Sequence, residues 1–198
     1  MGSCGVPNPN TLGALAVGLL VCAGCTTTII PPPGLADPAP VFVLDHGRHS
    51  TVVLPRPGGA VRYAYGDWTW YAQARTGVLA GSSGALVPSQ AALGRRLLPG
   101  PLSEAGVRAN VGVGVEAVHP VEVASARAEA LRRDLEAVYR ANLPTRHVNT
   151  FYHLDFVHHP EPYSASHNSN HKVAAWLRRM GCRVEGTAFW ASWRVTRE

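Results

Sequence analysis

The sequence predicts a single α+β domain in which an antiparallel sheet is packed by helices. Three observations predict it. Two segments repeat apolar residues at helical spacing: Ser125 to Ala141, with Leu131, Leu135, Val138 and Tyr139, and Ser169 to Met180, with Val173, Trp176, Leu177 and Met180. Several short runs alternate or are β-branched, as half-buried strands do. The strand signals do not alternate strictly with the helices, which separates the chain from a doubly wound α/β fold.

Taken in order, Val41 to Leu44 and Thr51 to Leu54 read as strand segments around a break at Gly47. Pro55 to Gly59 is turn chemistry, and Val61 to Tyr65 returns as an alternating aromatic strand. Gly66 to Tyr71 (Gly-Asp-Trp-Thr-Trp-Tyr) is an aromatic knot, expected with Trp176, Trp190 and Trp193 to form core and cleft wall. A short helix is expected around Ser89 to Leu97, a strand over Val107 to Val118, and a further strand at Val121 to Val123. Ser125 is placed to cap the first long helix and Pro144 to end the segment. The second long helix stops at Gly181, and Phe189 to Val195 closes the chain as a strand.

The N-terminal part carries a different message. An apolar run from Thr11 ends in Val21-Cys-Ala-Gly-Cys-Thr26, and Leu12 to Val21 is short for a membrane-spanning helix. Small residues before a cysteine, after an apolar stretch of this length, resemble the bacterial lipobox, with Cys25 as the lipidated residue. Position −3 is Cys22 where Leu is usual, and Met1 to Asn10 has no Lys or Arg. The expected organisation is a signal peptide over 1–24, a Pro-rich tether over 25–40 and one domain over 41–198. Cys4 and Cys22 leave with the signal, so Cys182 alone remains and the domain holds together without an intramolecular disulfide. The localisation this implies is the periplasmic side of a bacterial envelope membrane.

The formal charge is +5, almost all from scattered arginines, and Lys172 is the only lysine. Without an aromatic-interleaved basic stripe, the pattern speaks against nucleic acid. A solvated helix surface explains the pairs Arg132–Arg133 and Arg178–Arg179. No cofactor motif is present.

Two constellations can carry chemistry. Asp45-His46-Gly47-Arg48-His49-Ser50 puts two histidines at a strand edge, where histidine serves as base, metal ligand or turn residue. His167-Asn168-Ser169-Asn170-His171 opens a helix, where unpaired N–H groups and the positive dipole end favour negative charge. A nucleophile gains from those donors, while Asn168 or Ser169 equally suits an ordinary N-cap. His153, His158, His159, His167 and His171 also crowd one stretch, which raises a metal site, although no Cys pair or His-Glu-x-x-His helix accompanies them.

His46 to Pro55, Tyr65 to Tyr71, and Asn168 to His171 before an Ala-Trp-Leu helix resemble an uncharacterised bacterial family of urease-region type, many of whose members are lipoproteins. That family shows His-Gly-Trp-His-Thr-Gly, Gly-Trp-Gly-Asp and Cys-Asn-Thr-Trp motifs, and in turn resembles circularly permuted papain-like hydrolases of the NlpC type. The resemblance implies His49 as base, Ser169 at the nucleophile position and Asp67, or Tyr65, orienting the imidazole. His46, Tyr65, Asn168 and Asn170 would line the binding site. Ser169 stands where the relatives have Cys, and a serine hydroxyl ionises far less readily than a thiol. Three functions therefore stand open: a Ser/His hydrolase acting on an amide or ester of cell-wall peptide or lipid, a non-catalytic envelope binding or assembly lipoprotein, and a histidine-cluster metal protein.

Overall fold

The structure is a computed structural model that describes residues 26–74, 87–111 and 114–196. Its centre is a seven-stranded antiparallel sheet in the order β6-β2-β3-β4-β5-β8-β7. The strands are β2 (Pro38–Asp45), β3 (Ser50–Arg56), β4 (Gly59–Asp67), β5 (Ser89–Pro99), β6 (Ala117–Ala124), β7 (His147–Asn149) and β8 (Leu154–Tyr163). A second sheet, β10-β1-β9, is formed by β1 (Thr27–Ile30), β9 (Arg183–Glu185) and β10 (Trp193–Val195). The helices are α1 (Glu104–Val111), α2 (Ser125–Ala141) and α3 (Ser169–Arg179). The α+β class with a mainly antiparallel sheet is thus observed. Among the described residues, no helix is long and apolar enough to cross a membrane.

The two faces of the large sheet are covered differently. On one, Val52, Leu54, Tyr63 and Leu93 pack under Leu131 and Leu135 of α2 and under Val173, Trp176 and Leu177 of α3. The helical spacing read from sequence is the buried face of α3: Val173, Leu177 and Met180 are fully buried and Trp176 is 1 % exposed. The small sheet extends this core through Ile29, Val184 and Trp193. The opposite face holds two separate clusters. Phe42, Leu44, Val53 and Leu98 meet Val107 and Val111 of α1. Ala64, Ala92 and Phe156 meet Tyr71 in the π-helical turn Trp68–Ala72.

Four expectations are corrected. Ser89–Pro99 is a strand, not a helix, because it is hydrogen-bonded to β4 on one side and β8 on the other. Gly94 lets it pass Phe156, whose ring would lie 2.6 Å from an added Cβ. The first part of Val107 to Val118 is helical, since Ser103 Oγ accepts from Gly106 N and Val107 and Val111 fall four apart on a buried face. Ser125 makes no side-chain cap; Ala124 takes that position, and Ser125 N donates to the Asp37 carbonyl. Finally, Thr27–Ile30 is no tether. It pairs with β9 and β10, and Ile29 is wholly buried. Part of the stretch expected as spacer is therefore core. The candidate lipidation residue, Cys25, lies outside the described residues.

Candidate functional site

β2 and β3 are joined by a tight loop in which Gly47 has φ +86° and its N–H donates to Asp45 Oδ1 at 2.7 Å. The loop closes with His46 N–H donating to the His49 carbonyl. It thereby brings His49 to the start of α3, where Nδ1 lies 3.3 Å from Ser169 Oγ across 120 residues of sequence. The His49 ring stands edge-on to Tyr71, with centroids 4.6 Å apart. Burial, and then the Arg48 charge, hold His49 down to about 4, so it is neutral at pH 7. The neutral ring can accept the Ser169 proton at Nδ1.

The rest of the expected machinery is arranged otherwise. Asp67 does not reach His49. One carboxylate oxygen accepts from Trp70 N at 2.7 Å, capping the π-helical turn, and the other accepts from Ser89 Oγ. Tyr65 does not orient the imidazole either: its hydroxyl donates to the Pro162 carbonyl at 2.7 Å. Among the described residues, nothing holds Nε2 of His49. Two donors at the start of α3 are also engaged, because Asn168 Oδ1 accepts from Asn170 N at 2.9 Å and His171 N at 3.1 Å. Asn168 is thus an N-cap. Asn170 ties the loops together through its amide, which donates to the carbonyls of Arg48 and Phe189.

Beside this pair a cavity of about 630 Å³ opens, with His46, His49, Arg62, Tyr65, Tyr71 and Tyr152 in its wall. Phe151, 72 % exposed, stands at its mouth. Ser169 is only 1 % exposed and is not part of the wall. His46 is fixed deeper in: Nδ1–H donates to the Gly114 carbonyl at 2.6 Å, which leaves Nε2 to accept from Arg62 Nη2 at 3.1 Å. Burial first, then Arg62, push His46 down to about 4.

The late histidines do not converge, and among the described residues no group of three His, Cys, Asp or Glu could hold a metal ion. His158 lies edge-on to Trp68, His159 Nδ1 accepts from Glu161 N, and His167 Nε2 meets Glu161 Oε2. His171 Nδ1 meets Asn168 Oδ1. Cys182 is free and buried, and burial raises its thiol to about 11.

The reading of the sequence did not single out Arg62. Its signal was local: Arg62 sits between Ala60 and Ala64 on a strand whose other face carries Tyr63 and Tyr65. Small residues flanking a charge suggest a face that is covered, not solvated. Compared with protein-family models, curated proteins and solved structures, the chain matches none of them.

Proposed function

We propose that this chain is a cell-envelope lipoprotein whose domain binds a ligand in the His46–Tyr152 cavity without hydrolysing it. The observation that carries this reading is the state of Ser169: buried, outside the cavity wall, and facing a histidine that no carboxylate orients. A serine nucleophile needs a base stabilised as it charges and free donors for the oxyanion. Here Asp67 and two of the α3 donors, Asn170 N and His171 N, are committed to capping. The competing reading, a Ser/His hydrolase of cell-wall peptide or lipid bonds, draws on the 3.3 Å approach of Nδ1 to Oγ.

A fluorophosphonate serine-hydrolase probe decides between them. The binding reading expects no labelling of the wild-type chain. Labelling that disappears in Ser169→Ala would establish the hydrolase.

The lipoprotein part rests on the Cys25 motif. Thr26 follows Cys25 directly, and its hydroxyl already touches Ser192 Oγ at 3.3 Å. A lipid on Cys25 would hold the small sheet within about 7 Å of the anchor, since two residues span no more than that. Palmitate incorporation should be lost in Cys25→Ser; incorporation that survives the change removes the anchor.

A further inference from the structure

Among the described residues, Arg62 is a cation without a counter-ion. It is 2 % exposed, and its two hydrogen bonds go to neutral groups: Nε donates to Thr51 Oγ1 at 3.1 Å, and Nη2 to His46 Nε2 at 3.1 Å. Nη1 is buried and has no partner. Among the described residues no carboxylate pairs with the guanidinium, and the Arg96 charge repels it. Buried charges are ordinarily paired, because desolvation is otherwise uncompensated. The Tyr71 hydroxyl, in the wall of the same cavity, is likewise buried and unpartnered.

The surrounding residues hold this arrangement in place. The Gly114 carbonyl fixes the tautomer of His46, so Nε2 can only accept, and the guanidinium plane is set from that side. Thr51 sets it from the other. A neutral His46 adds no charge of its own. What remains unpaired at this part of the wall is one guanidinium edge and one phenol hydroxyl, while Arg48 and Glu116, of opposite charge, line the cavity elsewhere.

We propose that Arg62 and Tyr71 form a subsite for a carboxylate borne by the cavity's ligand, with Arg62 Nη1 and the Tyr71 hydroxyl as donors. The proposal rests on the binding reading above and specifies the class of ligand. A carboxylate matches in charge and in number of donors. A phosphate dianion asks for more charge and more donors than the Arg62–Tyr71 pair supplies. The ligand's remaining body is apolar, to suit Tyr71, Tyr152, Phe151 and Leu154.

The test uses the full chain and three probes: 3-phenylpropanoate, its neutral isostere 3-phenylpropanamide, and phenyl phosphate. Calorimetry should give at least tenfold tighter binding of the acid than of the amide. The Nε–Hε resonance of Arg62 should shift with the acid alone. In Arg62→Met the preference should vanish, the acid binding no tighter than the amide, and a cooperative unfolding transition shows that the variant is folded. If that variant does not fold, the wild-type resonance and the acid-to-amide ratio decide alone. Equal affinity for acid and amide, or an unmoved Arg62 resonance, overturns the carboxylate subsite. So does tighter binding of phenyl phosphate. Ester turnover or serine labelling would defeat the binding reading and leave an acid preference standing. Equal affinity would defeat the subsite and leave the binding reading.

Discussion

The two faces of the large sheet do different work. Under α2 and α3 the face is continuous and apolar, with Trp176, Leu131, Val52 and Tyr63 in one cluster. Under α1 and the π-helical turn the cover is split in two, and Arg62 lies in the gap between Ala60 of one cluster and Ala64 of the other. A packed face contributes stability; a divided face leaves room for a ligand. The same strand serves both, since the alternation of β4 sends Tyr63 and Tyr65 one way and Arg62 and Ala64 the other. If this division is correct, substitutions on the helical face should act on stability and those around the gap on binding.

The largest effect belongs to the packed face. Trp176→Ala should destabilise the domain by roughly 3–5 kcal/mol, because it empties a site 1 % exposed at the centre of the main cluster. Urea unfolding measures this. A loss under about 1 kcal/mol would mean that α3 is not seated as described.

Gly94→Ala comes next and probes the other face. An added methyl would lie 2.6 Å from the Phe156 ring, in the small cluster beside the cavity. Overpacking of this kind costs about 1–3 kcal/mol. A neutral Gly94→Ala would show that Phe156 yields freely and that this cluster is loosely built.

pH sharpens the comparison further. His46, His49 and His159 are all held down to about 4, chiefly by burial, while their unfolded value is near 6.5. A depressed histidine is neutral when folded, so between these values the unfolded chain binds more protons. Stability is therefore full above about 6.5 and falls as pH drops from there toward 4. From pH 7 to pH 5 shifts of this size are worth up to about 2 kcal/mol per histidine, less for the partly exposed His46 and His49, so the loss should be at least about 2 kcal/mol. Asp45, raised by burial, opposes the trend only at the acid end. A carboxylate ligand should leave the slope unchanged above pH 6, because Arg62 does not titrate there; calorimetry across pH 6 to 8 checks this.

How much of this was legible in the sequence follows the same division. α2 and α3 were readable because their apolar period faces one uninterrupted core. β5 and α1 were exchanged in kind. Ala91, Ala92 and Leu93 have no strong strand preference and become a strand through pairing on both sides. Val107 and Val111 suggest a strand until Ser103 caps them into a helix. β1 lay hidden in a Thr- and Pro-rich stretch, since its partners, β9 and β10, come from the far end of the chain. The motifs carried His49 toward Ser169 correctly as neighbours, whereas Asp67 proved to serve its own turn. The Ala60–Arg62–Ala64 alternation hints locally at a covered charge, but what covers Arg62 involves Gly114 and Tyr71, which no local pattern connects to it.

The smallest expected effect is the most decisive for the His49–Ser169 pair. Ser169→Cys places a thiol at the helix start, where a free dipole end and a charged histidine would lower its pKa and speed its alkylation. Neither condition holds here. Asn168 already accepts from Asn170 N and His171 N, and His49, held near 4, is neutral at pH 7. Position 169 is also 1 % exposed, so iodoacetamide reaches it poorly. The new thiol should therefore react no faster than an ordinary exposed cysteine, and adding His49→Ala should change its rate by less than about twofold, an effect below 0.5 kcal/mol in the barrier. Folding should be nearly unchanged, since the lost contact is a single 3.3 Å hydrogen bond. Rapid alkylation that slows on removal of His49 would show that His49 and position 169 form a working dyad. It would also move catalysis to the junction of the two faces and leave the gap around Arg62 to hold the substrate.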